Sequence, residues 1–151
     1  MSIDIKIRKG LQLKLKGAAE NIVKQAPQTN NYALKPTDFH GVFPKLLLKE
    51  GQKIKAGEPL FFSKYKEKIQ FVSPVSGTLK EVQRGAKRKI LNLFIEADSK
   101  QSSIKHKLPK LEDITSEQVR ELLLASGTWP YIKQRPYDVI ADPDRSPKAI
   151  F

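Results

Sequence analysis

Short apolar segments separated by turn residues occupy the middle of the chain, from Lys45 to Ala97. Ile54 lies between two lysines, and Ile69 alternates with Phe71, which is the period of two that half-buried strands show. Glycine and proline recur too often for a helical period of 3.6 residues to persist. The pattern therefore predicts six short strands in a small sandwich or barrel.

Glycine turns punctuate these predicted strands. Gly51 and Gly57 flank the strand around Ile54, and Gly77 ends the run Ser73-Pro74-Val75-Ser76-Gly77. Glycine is the residue that tolerates a positive φ or a close approach of another backbone. We expect one of these two reasons at each of the three positions.

Alternating apolar and charged residues also fill positions 3–15. The apolar ones are Ile3, Ile5, Ile7, Leu11, Leu13 and Leu15, with Arg8-Lys9-Gly10 between the two sets. The period of two predicts two half-buried strands around a glycine turn. An extended arm laid over the body of the protein is the alternative. The polar residues that follow, 16–31, are typical of a connection.

One helix is predicted after the polar segment 99–111. Thr115 followed by Gln118 is a capping-box signature, and Gly127 is suited to end the helix. The predicted apolar face consists of Val119, Leu122, Leu123 and Ser126.

The residues after this helix, 128–151, are rich in proline and show no strong periodicity. The last four, Lys-Ala-Ile-Phe, are typical of the opening of a buried strand. This ending predicts that the chain is an N-terminal fragment of a longer protein. A final strand that caps a sheet is the alternative.

The net charge of +12 and the pI near 9.9 indicate an anionic partner, whether nucleic acid, lipid head groups or an acidic protein surface. The positive charge comes from 22 lysines and 6 arginines. Base reading and bidentate phosphate binding favour arginine, so we expect no nucleic-acid partner. A basic nucleic-acid-binding β-domain stays as an alternative suggested by charge alone.

Few residues offer reactive chemistry. The chain has no cysteine and two distant histidines, His40 and His106, so no metal site is expected. Asp142 and Asp144 flank a proline, which is more typical of turn chemistry than of chelation. No serine–histidine–acid set stands out, and no catalytic residue is predicted. No apolar run is long enough to cross a bilayer, and the N-terminus is not that of a signal peptide.

Two clusters carry alternative interpretations. The run from Arg84 to Lys89 is the densest basic cluster, and it is either a solvated hairpin turn or a docking site for an acidic partner, head groups or RNA. Trp129 and Tyr131 flank Pro130; we prefer a packing anchor under the helix, and a pocket for an aromatic ligand such as a quinone ring is the alternative.

The run EGQKIKAGEPLF…FVSPVSGTLKEV resembles the biotinyl/lipoyl carriers, whose fold is the barrel-sandwich hybrid. Such carriers present a lysine at a hairpin tip between methionines. Lys66 lies near that position, but its neighbours are Tyr65 and Glu67, and the one methionine is Met1. The resemblance implies a carrier-like scaffold without a swinging arm. A covalent biotin or lipoate carrier with Lys66 as its site is the alternative.

Several segments in order resemble the N-terminal part of the NqrA family, whose members are subunits of the sodium-translocating NADH:quinone oxidoreductase. They are IKIRKGLQLKLKG, the carrier-like run, RGAKRKIL, SGTWPYIKQRPYDVIAD and the terminal PKAIF. The related component of the Rnf complex is a weaker match, because it usually carries cysteine clusters for iron–sulfur centres.

The resemblance implies an α+β, mainly β fold. It comprises an N-terminal β hairpin or arm and connection (1–34), a barrel-sandwich hybrid domain (35–98), a linker (99–111), and a helix opening a truncated second α/β domain (112–151). The implied role is that of a peripheral subunit on the cytoplasmic face of the bacterial inner membrane, in a complex that passes electrons from NADH to quinone and exports sodium.

The resemblance also implies partners and cofactors. The expected partners are the other subunits of the complex, including membrane subunits, and a quinone contact fits the same role. The flavins and the iron–sulfur centre are expected in other subunits, so no cofactor is expected in this chain. The fragment itself is expected to assist assembly and docking rather than catalysis.

Overall fold

The computed structural model describes residue 10 and residues 16–27, 29–110 and 112–150. The two strands predicted within residues 3–15 lie, apart from Gly10, outside the described residues. The described part of the chain is mainly β with one α-helix, which confirms the predicted secondary-structure class.

One antiparallel sheet has four strands. Its order is β1 (Asn31–Leu34), β7 (Ile90–Ala97), β6 (Gly77–Arg84) and β3 (Lys53–Ile54). The long hairpin of β6 and β7 forms its centre. β1 was not predicted, because its sequence begins with asparagine and alternates only weakly.

The second antiparallel sheet has three strands, β2 (Pro44–Leu46), β4 (Pro59–Ser63) and β5 (Lys66–Val72), with β4 in the middle. The strand predicted from Lys45 is shorter than expected, because the chain bends after Leu46 toward the turn at Gly51.

Both sheets contribute side chains to one core. Phe61 of β4 is fully buried and stacks on Phe71 of β5, with ring centroids 4.5 Å apart. The predicted inward positions Ile54, Ile69 and Phe71 are buried, as expected from their period of two. The other buried apolar residues are Leu60, Leu79, Ile90, Leu93, Ile95, Trp129 and Ile140.

The glycine predictions are confirmed. Gly51 and Gly57 have φ of +82° and +85°, which other residues adopt only at a cost. Gly77 has no positive φ, and the reason for glycine there is the close approach of another backbone. A Cβ added there would overlap the carbonyl oxygen of Glu96 on β7 and lie 2.9 Å from the Cα of Ala97.

The predicted helix is α1 (Ser116–Ala125). Its capping box is confirmed: the Gln118 N–H donates to Thr115 Oγ1 (3.3 Å), and the Thr115 N–H donates to Gln118 Oε1 (2.9 Å). The predicted apolar face was partly wrong. Leu123 and Leu124 pack against the core, whereas Val119 is exposed together with the rest of the first turn of α1.

The residues after α1 hold structure that the sequence pattern did not indicate. A 3-10 turn spans Trp129–Tyr131, and a small antiparallel hairpin joins β8 (Lys133–Gln134) to β9 (Val139–Ile140). The strand predicted to open at Lys148 was wrong for the described residues 148–150. No described segment pairs with this backbone, and Ile150 is 85% exposed.

Part of the predicted polar linker is bound to the barrel. The Ala56 N–H donates to the Ser102 carbonyl (2.9 Å), and the Ile104 N–H donates to the Ala56 carbonyl (2.9 Å). The domain boundaries themselves stay a prediction. None of the helices in the described part of the chain has the length and apolar character that crossing a membrane requires.

Candidate functional site

A groove of about 730 Å³ lies at one end of the barrel. One wall comprises residues 36, 37 and 39–44, from the segment that joins β1 to β2, and the other comprises residues 84 and 86–90, which include most of the β6–β7 loop. Its apolar lining includes Phe39, Val42 and Phe43. We call it the basic groove, for the reason that follows.

Five cations line the basic groove and form what we call the basic rim: Lys64, Arg84, Lys87, Arg88 and Lys89. All five side chains are exposed. None of them makes an ion pair with another described residue, and no described carboxylate lines the groove. The lining of the groove is therefore positively charged. Two carboxylates lie beside it: Asp38 pairs with Lys35 (3.6 Å), and Glu50 lines an adjoining pocket together with Arg84.

The β6–β7 loop holds three of these cations in one tight turn. The Gly85 N–H donates to the Lys89 carbonyl (2.8 Å), and the Lys89 N–H donates to the Ala86 carbonyl (3.2 Å). Lys87 and Arg88 adopt φ of +54° and +60°, a left-handed backbone that costs a non-glycine residue on the order of 1 kcal/mol. The predicted hairpin turn in the Arg84–Lys89 cluster is confirmed.

An exposed aromatic pair stands beside the basic groove. Phe43 and Tyr65 pack edge to face with ring centroids 5.2 Å apart, and the two residues are 57% and 70% exposed. The Lys64 N–H donates to the Phe43 carbonyl (2.8 Å), which joins the β4–β5 turn to the groove wall. This end of the barrel therefore combines cations with exposed aromatic surface.

Lys66 lies directly after the Lys64–Tyr65 turn, at the tip of the β4–β5 hairpin, where the carrier resemblance places it. Its Nζ is 3.4 Å from Asp142 Oδ2, and the next outward lysine, Lys68, is 2.6 Å from Asp144 Oδ1. The two lysines thus form solvent-accessible ion pairs between the hairpin and the segment after β9.

The pKa of Asp142 is lowered from its ordinary value. The main cause is the Asp144 N–H, which donates to Asp142 Oδ1 (3.1 Å), and the charges of Lys66 and Arg145 add to it, while partial burial opposes the shift. Asp142 and Asp144 therefore act as ion-pair partners of lysines. Among the described residues, no group of three histidine, aspartate or glutamate side chains could hold a metal ion.

Replacing Asp142 by asparagine is expected to change the pH dependence of stability. Because the folded-state pKa is lowered, the carboxylate stabilises the protein fully above its unfolded pKa of about 3.9, and this contribution disappears as pH falls through the folded value. The free energy of unfolding of Asp142→Asn should be lower by less than about 1 kcal/mol at pH 7. The difference should vanish at low pH.

Urea unfolding at pH 7 and in steps below pH 4 measures this effect. Asp113→Asn is the matched control, because Asp113 is exposed and makes no ion pair within the described residues. A stability difference for Asp142→Asn that stays constant down to low pH would contradict the assignment.

Trp129 is a packing residue, as preferred from the sequence. It is 8% exposed within the core cluster, and its Nε1–H donates to the Ala141 carbonyl (2.9 Å). Tyr131 is 68% exposed and contacts Phe39 edge to face, with ring centroids 5.9 Å apart. The two rings therefore do not face a common cavity in the described structure.

The sequence identified the basic cluster but not the groove beside it. The segment 36–44 carries little charge, and its sequence showed no pattern typical of a binding site. It nevertheless forms one wall of the groove, and His40 belongs to that wall. His106 lies in the polar segment after the barrel. A groove of this kind depends on contacts between distant segments, which local patterns do not record.

Comparison with known families gives two matches in order along the chain. Residues 5–98 match the family model described as "NqrA N-terminal barrel-sandwich hybrid domain", and residues 114–151 match the "NqrA second alpha/beta domain". The first match covers more than half of the chain. It confirms the barrel-sandwich hybrid that the carrier resemblance implied.

Curated relatives are named as the A subunit of Na(+)-translocating NADH-quinone reductase. The protein from Pseudomonas aeruginosa is 34% identical over 149 residues, and that from Tolumonas auensis is 35% identical over 150 residues. Each alignment covers 97% of this chain and 34% of the relative. The chain thus spans about a third of the length of these relatives.

Proposed function

The chain belongs to the NqrA family, and on this premise we propose that it is the docking part of the NqrA component in a sodium-translocating NADH:quinone oxidoreductase. In this proposal the complex passes electrons from NADH to a quinone and exports sodium. The chain binds the complex at the cytoplasmic face of the bacterial inner membrane, and its partners are the other subunits.

The observation that carries the proposal is the ordered match of two domain models over residues 5–98 and 114–151. The residues agree with a supporting role. The chain has no cysteine for an iron–sulfur centre. Its hairpin lysine is engaged with Asp142. We therefore propose that other subunits hold the flavins and the iron–sulfur centre, and that this chain holds no redox cofactor.

Purification of the chain alone and in the complex tests this function. Alone, the chain should show no visible flavin absorbance and should not oxidise NADH. Co-expressed with the remaining subunits of such a reductase, a tagged chain should retain those subunits in detergent, and an unrelated tagged carrier domain should not. NADH oxidation by the isolated chain, or failure to retain any of the other subunits, would overturn the proposal.

The carrier alternative is disfavoured chiefly by the neighbours of Lys66, which are not methionines, and the ion pair of its Nζ adds to this. A swinging arm needs a lysine whose Nζ is free to be acylated, whereas this Nζ lies 3.4 Å from a carboxylate and its neighbours are Tyr65 and Glu67. The intact mass of the chain produced with biotin and lipoate ligases should equal that of the unmodified polypeptide. An added mass that Lys66→Gln abolishes would establish the carrier function instead.

A quinone contact belongs to the same proposal as a more specific expectation. Tyr131 is the exposed member of the Trp129–Tyr131 pair, so it is the better candidate to contact the ring of a bound quinone. A photoreactive quinone added to the assembled complex should label this chain. Labelling confined to other subunits would exclude the contact.

A further inference from the structure

The basic groove, its rim and the aromatic pair Phe43–Tyr65 lie at one end of the barrel. Part of the groove lining packs with the core, whereas the five rim cations and the aromatic pair lie outside the core cluster. The rim carries five cations without a described carboxylate. Both residues of the aromatic pair are more than half exposed. Cations and exposed aromatic rings together form the chemistry that recognises the surface of a charged bilayer.

We propose that this end of the barrel binds the surface of a bilayer rich in anionic phospholipid. The basic rim would approach the phosphate layer, and Phe43 and Tyr65 would enter the head-group region with their rings. This inference goes beyond the proposed function, which concerns protein partners, and it rests on the charge of the groove and on the exposed aromatic pair beside it.

The kind of cation favours lipid over an acidic peptide. Three of the five are lysines, which act as point charges toward a diffuse anionic layer, whereas paired carboxylates are held best by the planar fork of arginine. The left-handed turn at Lys87 and Arg88 also places neighbouring cations on one tight, exposed loop. A surface with distributed negative charge can interact with all five cations at once.

The aromatic pair adds an apolar contribution. Aromatic rings are enriched where a protein meets the head-group layer, because one part of the ring is apolar and its edge or hydroxyl tolerates water. The backbone bond from Lys64 to Phe43 holds the aromatic pair beside a rim cation. Charge and aromatic surface thus act at the same contact.

Binding to lipid vesicles tests the proposal. The chain should sediment with vesicles of equal parts phosphatidylcholine and phosphatidylglycerol at low salt, and much less with phosphatidylcholine alone. Each cation near an anionic surface contributes about fivefold in affinity, so K64Q/K87Q/K89Q should bind about 100-fold more weakly. F43S/Y65S should bind about tenfold more weakly.

The matched control is K100Q/K105Q/K107Q, which removes the same charge from exposed lysines after β7. The groove adjoins the end of β7 at Ile90, whereas the control lysines follow the other end of the strand at Ala97. This strand of eight residues spans about 23 Å. The control should lose less than about fivefold in vesicle affinity. Far-ultraviolet circular dichroism checks that every variant folds.

Equal losses for the rim and control variants would overturn the proposal, since net charge alone would then explain binding. Binding to polyglutamate without binding to vesicles would overturn it in favour of an acidic protein. Should the rim variant not fold, the aromatic variant decides, and unchanged vesicle binding by F43S/Y65S overturns the proposal. Retention of the other subunits is a separate measurement, so each proposal can fail alone.

Discussion

Replacing Gly77 by alanine is expected to lower the free energy of unfolding by about 3 kcal/mol. Gly77 begins β6, between Ile54 of β3 and Ala97 of β7. Its added Cβ would overlap the Glu96 carbonyl oxygen and lie 2.8 Å from that carbonyl carbon. Both atoms belong to backbone, so no side chain can rotate away and β7 itself has to move.

Gly41→Ala separates this overlap from ordinary glycine strain. Gly41 has φ of +74° and nothing within 4 Å of an added Cβ, so its replacement should cost about 1 kcal/mol through backbone strain alone. Urea unfolding of both variants gives the comparison. A cost for Gly77→Ala no larger than that for Gly41→Ala would mean that β6 and β7 are not as close as described.

The local features of this fold could be predicted from the sequence because local physics determines them. Gly51 and Gly57 mark turns that need a positive φ, and Thr115 with Gln118 forms a cap within four residues. The burial of Ile69 and Phe71 follows from a period of two. Each of these predictions depends on residues that are neighbours in the chain.

Features that depend on distant pairings could not be predicted in this way. β1 exists because Asn31–Leu34 pairs with β7, about sixty positions later, and its own residues show weak alternation. The salt bridge between Lys68 and Asp144 joins residues 76 positions apart. Likewise, the wall of the basic groove at 36–44 has no local signature of binding.

The aromatic residues connect the core to the basic groove. Phe61 stacks on Phe71, and Phe71 meets Phe39 edge to face with ring centroids 4.6 Å apart. Phe39 in turn lines the groove. The groove wall therefore rests on the same rings that join the strands of the three-stranded sheet, so its shape depends on how well this core is packed.

Replacing Phe61 by alanine is expected to lower the free energy of unfolding by about 3–5 kcal/mol. The side chain is fully buried, and its ring stacks on Phe71 at an interplanar angle of 11°, so truncation removes its contacts and leaves a cavity. Urea unfolding followed by tryptophan fluorescence measures the change, since the single Trp129 belongs to the same core.

Phe62→Ala is the matched control, because Phe62 follows Phe61 in β4 and its side chain points to the opposite face of the sheet. The Phe62 ring is only partly buried, and the Lys45 Nζ lies 5.4 Å from its centroid, so its loss should cost less than about 1.5 kcal/mol. A shift of β4 by one residue would exchange the two faces and reverse the order of the two costs. Equal or reversed costs would therefore contradict the strand register on which both the core and the groove depend.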